Sequence, residues 1–549
     1  MRLNKSISAF LIVMCFIVIT LSFSPFYSLF KQVLSVVNPT ILNKVFGSTS
    51  TLLALKSTLI ISLATVFFST LIALPLSWLF SRSDLKSSHR WQTLFSLPYA
   101  IPPYIGAIAW IMLANPTNGI LNKTLGLELN IYSTWGLIWV MSSFFYTFIL
   151  LNVTNLLSQM DPSLEEAARL SGAGPFRVFW EITLPLIRPG LISGMALVFL
   201  AASASFGVPA LVGGPGGIYL LTTKIYTYQK MGSFMGINYA SILSVVLFFV
   251  AILILGINNF ILRKKSFGVV SGKSARANLI PLKSWAKFVQ VSLILLLFIL
   301  LILPILGIFV SALAKVQGII SFENITLMNF KKVFFEVSEF PRAVFNSLTV
   351  ASIVASASVL FGFFVVYAQT KTKLKFLKPT DLFISLPYAT PGTVLSLALI
   401  LAFSGRLFGV LSLYNTISLI GVAYFIKYLN FSVRALNSSM VQIDQSLLEA
   451  AQVSGAGFFK RLVTIWIPLL KPALISSWFL VFMPCVSELT MTILLTGPGL
   501  ETLGTLLFQL QNYGDASGGG AAVLGLLIIT LVLIINYLVK VISKGKYGL

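Results

Sequence analysis

The sequence predicts an all-α polytopic membrane protein of about twelve transmembrane helices, arranged as two tandem six-helix halves. Three observations carry that expectation: apolar runs of about 20 residues along the whole chain, basic residues gathered in alternate inter-run segments, and an internal repeat spanning half the length. With 57% hydrophobic and only 10% charged residues and a mean hydropathy of +0.94, such a chain cannot clothe itself in a water-compatible surface. A run of about 20 apolar residues at roughly 1.5 Å per residue matches a hydrocarbon core of about 30 Å. The lipid bilayer is therefore the expected solvent.

Taken in order, the first run, from about residue 9 to 30, follows Arg2 and Lys5 as a signal peptide would. It exceeds the roughly 7–15 apolar residues of a cleavable signal and lacks a small-residue cleavage site, so it reads as the first membrane helix. Further spans fall near 53–80, 95–114, 133–155, 187–212, 240–262, 289–312, 346–369, 380–403, 414–436, 469–495 and 521–540. Counted with the N-terminus inside, 26 of the 38 Lys and Arg residues lie in inside segments, 10 lie outside, and Lys56 and Lys427 lie within spans. That bias places both termini in the cytoplasm of a bacterial inner membrane protein. It also accounts for the net charge of +23 through lipid and orientation rather than nucleic acid.

The repeat is explicit. Ser96-Leu97-Pro98-Tyr99-Ala100-Ile101-Pro102 returns as Ser385-Leu386-Pro387-Tyr388-Ala389-Thr390-Pro391, and the segment Asp161 to Gly174 returns as Asp444 to Gly457. Gly214-Pro215-Gly216 and Gly497-Pro498-Gly499 form a third, looser pair. Six spans per repeat make the halves parallel, related by an axis along the membrane normal. We take 1–265 as the first half, 266–287 as a cytoplasmic linker and 288–549 as the second half.

The inside loops at 161–185 and 444–468 share one design. A short helix starts at Ser163 or Ser446, closes at a glycine turn (Gly172, Gly174; Gly455, Gly457), and a second helix runs to Pro185 or Pro468. One copy would equally describe an amphipathic helix resting on the membrane surface. Two copies at matched positions favour a pair of knobs that insert into grooves on another protein.

Glu166-Ala167-Ala168 with Gly172, Ile182 and Leu184-Pro185 resembles the EAA loop of binding-protein-dependent ABC transporter permeases. Glu449-Ala450-Ala451 with Gly455, Ile465 and Ile467-Pro468 repeats it, with Ile467 where leucine is usual. The resemblance covers essentially the whole chain, which is similar to the fused permeases of ferric-iron importers (type I importers with a MetI-like transmembrane fold), with relatives for thiamine, polyamines and phosphonates. It implies that Glu165, Glu166, Ala167, Ala168, Gly172, Glu449, Ala450, Ala451 and Gly455 couple the chain to a cytoplasmic ABC ATPase, in two copies. It also implies a periplasmic or lipid-anchored substrate-binding protein, and alternating access driven by those partners.

The residues make catalysis and cofactors unexpected. The near match to a phosphate-binding loop, Gly268 to Gly272-Lys273-Ser274, has three intervening residues where four are needed. The single His89 and the two cysteines, Cys15 and Cys485, offer neither a metal cluster nor a catalytic set. For the pathway, intramembrane charges are costly and mark either a partner or a watery route. Only Lys427, mid tenth span, and Glu488, mid eleventh, qualify; they could pair or could line the pathway with Thr490, and with Ser205 and Pro209 of the first half. A secondary transporter remains the alternative of another class, and a channel or membrane enzyme a weaker one.

Overall fold

The computed structural model describes residues 5–161, 163–263, 279–372, 377–405, 412–514 and 518–542. Most of the basic linker lies outside the described residues, and with it the glycine–lysine run at 268–274. So do Arg2, Arg406 and several of the lysines counted above. Most of the described residues are helical, and their only β-pairing is two isolated bridges.

Ten helices are long and apolar enough to cross a bilayer unaided: Ser6–Val36, Thr49–Arg82, Thr134–Gln159, Pro175–Ala204, Phe234–Leu262, Lys283–Leu313, Phe340–Lys371, Ile417–Met440, Phe458–Val486 and Gly519–Ile542. The third and ninth expected spans are instead bent pairs. Ser88–Tyr99 meets Pro103–Ala114 at 91°, and Thr380–Ala389 meets Gly392–Phe403 at 116°. The repeated motif explains both bends. Prolines 98, 102 and 103, and 387 and 391, remove backbone donors, and Pro102 and Pro391 adopt extended ψ angles of 128° and 137°.

Packing shows that each bent pair crosses the membrane. Thr49–Arg82 and Thr134–Gln159 lie side by side in the same direction, because Thr65 touches Met141, Ser77 reaches the Leu150 carbonyl and Arg82 lies against Glu165. Two parallel neighbours require one crossing between them. The second half repeats this: Phe361 packs on Phe425, and Lys371 Nζ donates to the Ile443 carbonyl at 2.8 Å. Twelve crossings result. Ile280 pairs with Ser83, so the linker's end, the first knob and, six crossings later, the second knob share one face.

The fifth and eleventh spans differ from expectation at both ends. They begin at Pro175 and Phe458, inside the knobs, because the second knob helix continues straight into the membrane. A single wide turn at Phe179–Thr183 and at Leu462–Trp466 absorbs Pro185 and Pro468: the Leu184 and Ile467 amides bond five residues back, to Phe179 and Leu462. At the other end the helices stop at Ala204 and Val486, well short of 212 and 495.

The halves interlock. The first span packs on Gly392–Phe403 of the second half, and Lys283–Leu313, which opens the second half, packs on Pro103–Ala114 of the first. Phe10 meets Phe364 edge-on at 4.9 Å. Nearly every residue of the two short helices is buried. Helices that are apolar all round need cover on every side, and the exchanged spans supply it.

Candidate functional site

Each knob is built from local signals. Asp161 and Asp444 accept the Ser163 and Ser446 amides, both at 2.9 Å, at the start of helices Ser163–Leu170 and Gln445–Val453. That bond holds the Asp161 carboxyl below the usual carboxylate range. At the far end, Gly172 (φ +84°) and Gly455 (φ +79°) take the left-handed conformation. The following amides, Ala173 and Ala456, bond back to Ala168 and Ala451 at 3.0 and 2.9 Å, the six-residue closure of a Schellman turn.

The side chains divide into two groups. Ala167, Glu449, Ala450, Gly172 and Gly455 are exposed, and Glu166, Ala168 and Ala451 are half-buried. Around them stand exposed apolar groups, Leu170 and Phe176 on one knob, Val453 and Phe459 on the other. Glu165 departs from this set. It is 2% exposed, its carboxylate lies 2.8 Å from Arg82 Nε, and it accepts a 2.5 Å hydrogen bond from Thr183. Its position in the helix points it at the second span, so it cannot touch a docked protein in this conformation. Glu166, next to it in sequence, is the more exposed of the two. Reading a run of two glutamates could not separate them.

Between the halves lies an open cavity of about 240 Å³. Ser205, Lys427, Glu488 and Thr490 all line it, together with Tyr104 and Tyr428. Pro209 does not. It is buried beside the cavity, at the start of the wide helical turn Pro209–Gly213 that follows the break in the fifth span.

Lys427 and Glu488 face this one space, yet they form no ion pair within 4 Å; each serves a broken helix instead. Lys427 Nζ donates to the carbonyls of Tyr388, at 3.1 Å, and Thr390, at the bend of the ninth span. The Glu488 carboxylate accepts the amides of Met491, at 2.9 Å, and Thr492, at 3.1 Å, and the Thr492 hydroxyl at 2.9 Å, where the eleventh span restarts as Thr492–Leu495. A cation thus sits on carbonyls at a helix C-terminus and an anion on amides at a helix N-terminus, the favoured sign at each. Tyr104 closes the same break from the first half, donating to the Ser487 carbonyl at 3.0 Å.

The role of Tyr104 was hidden in sequence, although it stands two residues beyond the first proline motif. Lys427→Met is expected to strand two carbonyls and to lower stability by about 1–3 kcal/mol, read as a fall in the midpoint of thermal unfolding in detergent. An unchanged midpoint would mean water replaces the ammonium. In the first half, the repeat places Phe144 and Ser205 where Lys427 and Glu488 stand, so the charged lining is one-sided.

Six crossings taken twice around a shared cavity are the build of a membrane permease. Both halves of this chain, residues 62–258 and 358–546, match the binding-protein-dependent transport system inner membrane component, and the chain belongs to that family. The ferric transport system permease protein FbpB of Actinobacillus pleuropneumoniae is 26% identical over 392 residues, covering 69% of this chain and 54% of that protein. The Fe(3+)-transport system permease protein FbpB 2 of Haemophilus influenzae is 26% identical over 445 residues, covering 80% and 79%. The sulfate transport system permease protein CysW of Synechocystis is 29% identical over 164 residues, covering 29% and 59%. The chain spans about half the length of the Actinobacillus relative.

Proposed function

We propose that this chain is the translocating subunit of an ATP-binding-cassette importer in a bacterial cytoplasmic membrane, with the knob face and both termini in the cytoplasm. The halves 1–265 and 288–549 then enclose the route, and the loops 161–185 and 444–468 receive the force of two copies of a separate ATPase. The observation that carries the reading is the pair of equivalent knobs on one face, each presenting exposed apolar side chains at the same place in its half. Glu166, Ala167, Ala168 and Gly172, with Glu449, Ala450, Ala451 and Gly455, form the docking surface. A binding protein delivers substrate to the opposite face, and Ser205, Lys427, Glu488 and Thr490 line the passage. ATP-driven movement of the knobs rocks the halves between two packings. The chain itself carries no catalytic residue and no cofactor in this scheme.

Ferric ion is the preferred substrate, supported by the ferric permeases among the relatives. Thiamine, polyamine, phosphonate and sulfate are the alternatives against which uptake is to be compared. The test of the energy source is uptake into vesicles that hold the chain and its ATPase. Import is expected with ATP and absent in energised, ATP-depleted vesicles. Uptake driven by the ion gradient alone would make the chain a secondary transporter instead.

A further inference from the structure

The repeat brings three homologous positions to the corner where each knob joins the membrane. In the first half they are Arg82, Glu165 and Thr183; in the second they are Lys371, Leu448 and Trp466. The first corner is ionic and sealed. The Arg82 and Glu165 side chains are 4% and 3% exposed, their charged atoms are 2.8 Å apart, and Thr183 donates to the second carboxylate oxygen. Arg82 Nη2 is buried without a hydrogen-bond partner, so Glu165 provides the charge compensation of the guanidinium. Removing either member would leave the other charge buried and unpaired.

The second corner is built differently. Lys371 lies over the Trp466 ring at 5.9 Å and donates to a backbone carbonyl, while Tyr367 and Phe458 pack edge-on at 5.5 Å and Tyr367 and Trp466 do the same. Its knob helix carries leucine where the first carries Glu165. Aromatic packing can slide; a buried ion pair breaks or holds.

We infer that Arg82, Glu165 and Thr183 form a buried latch that ties the first knob rigidly to the second span, and that the second knob, which does not repeat this set and meets its span through the Lys371 bond to the Ile443 carbonyl and aromatic packing, is tied less rigidly, so the two halves transmit force unequally. This rests on the reading of the knobs as the force-receiving elements. Glu165 and Arg82 are positioning residues, acting through the knob rather than on a partner or substrate.

The test uses the full chain with its ATPase in vesicles, and the variants Glu165→Gln, Arg82→Gln and the exchanged pair Arg82→Glu with Glu165→Arg. Each single variant is expected to keep the ATPase bound while substrate moved per ATP hydrolysed falls by about tenfold, within the usual range of coupling effects. Spin labels at the exposed Leu170 and at Leu71 of the second span should report a broadened distance distribution. The exchanged pair should restore both readouts. A single variant that transports at the parental ratio with an unbroadened distance overturns the latch. Where a single variant fails to accumulate, the exchanged pair decides: recovery supports the latch and its absence overturns it. The label distances need no ATPase, so they test the latch even if the importer reading itself fails.

Discussion

Glu488→Ala is expected to abolish transport and to destabilise the protein by about 3 kcal/mol or more. Three donors converge on that carboxylate, two amides and a hydroxyl, in a position only 9% exposed. Each buried donor left without an acceptor costs roughly 1–3 kcal/mol. The cost falls where the eleventh span restarts, one residue from the Ser487 carbonyl that Tyr104 holds across the halves. Glu488→Gln separates the two roles of the side chain. Its remaining carbonyl oxygen can still accept an amide, but its NH₂ turns a donor toward donors, so a smaller loss of stability is expected. Uptake per folded molecule, with thermal unfolding in detergent measured alongside, is the reading required. If Glu488→Gln transports at the full rate, the carboxylate is a helix cap and its charge plays no part in passage.

Gly172→Val and Gly455→Val are expected to weaken ATPase association while leaving the protein in the membrane. A Cβ at either position would meet nothing within 4 Å, so crowding is not the cause. The backbone is: φ of +84° and +79° costs an L-residue about 1–2 kcal/mol. The chain can escape that strain by opening the Schellman turn, which swings the exposed helix away from its docking orientation. An energy of that size corresponds to a factor of about 5–30 in an equilibrium. Co-purification of the ATPase reads it, with membrane abundance as the control. Association at the parental level for both variants would mean that the turn tolerates strain without moving the knob.

The two knobs were legible because their signals are local. A serine at the start of the helix and a glycine after its end act over a short stretch, and the repeat shows them twice; that an aspartate caps each helix came from the structure. The spans were legible for the same kind of reason, since about 20 apolar residues have one stable destination. The prolines at 98, 102, 387 and 391 were visible as a repeated motif, but not as 91° and 116° bends; the angle depends on what packs against each arm. The start of the fifth and eleventh spans was misplaced because Pro185 and Pro468 read as helix stops, whereas one wide turn accommodates each of them.

Lys427 and Glu488 mark the same boundary from the side of chemistry. Their rarity in apolar runs singled them out, and the structure sets them in one cavity. Whether they pair is a question about distance between the tenth and eleventh spans, which no pattern along either span encodes. Glu165 and Arg82 show the limit most clearly: 83 positions apart and on different elements, they meet only because the second and fourth spans run parallel. The amino-acid sequence alone determined the membrane as solvent, the doubling of the chain, and the existence and place of the knobs, because hydropathy, repetition and capping act over short stretches of chain. Tertiary structure alone decided which half covers which, where each buried charge finds its partner, and which of two adjacent glutamates is buried, because those outcomes depend on the packing of segments far apart in sequence.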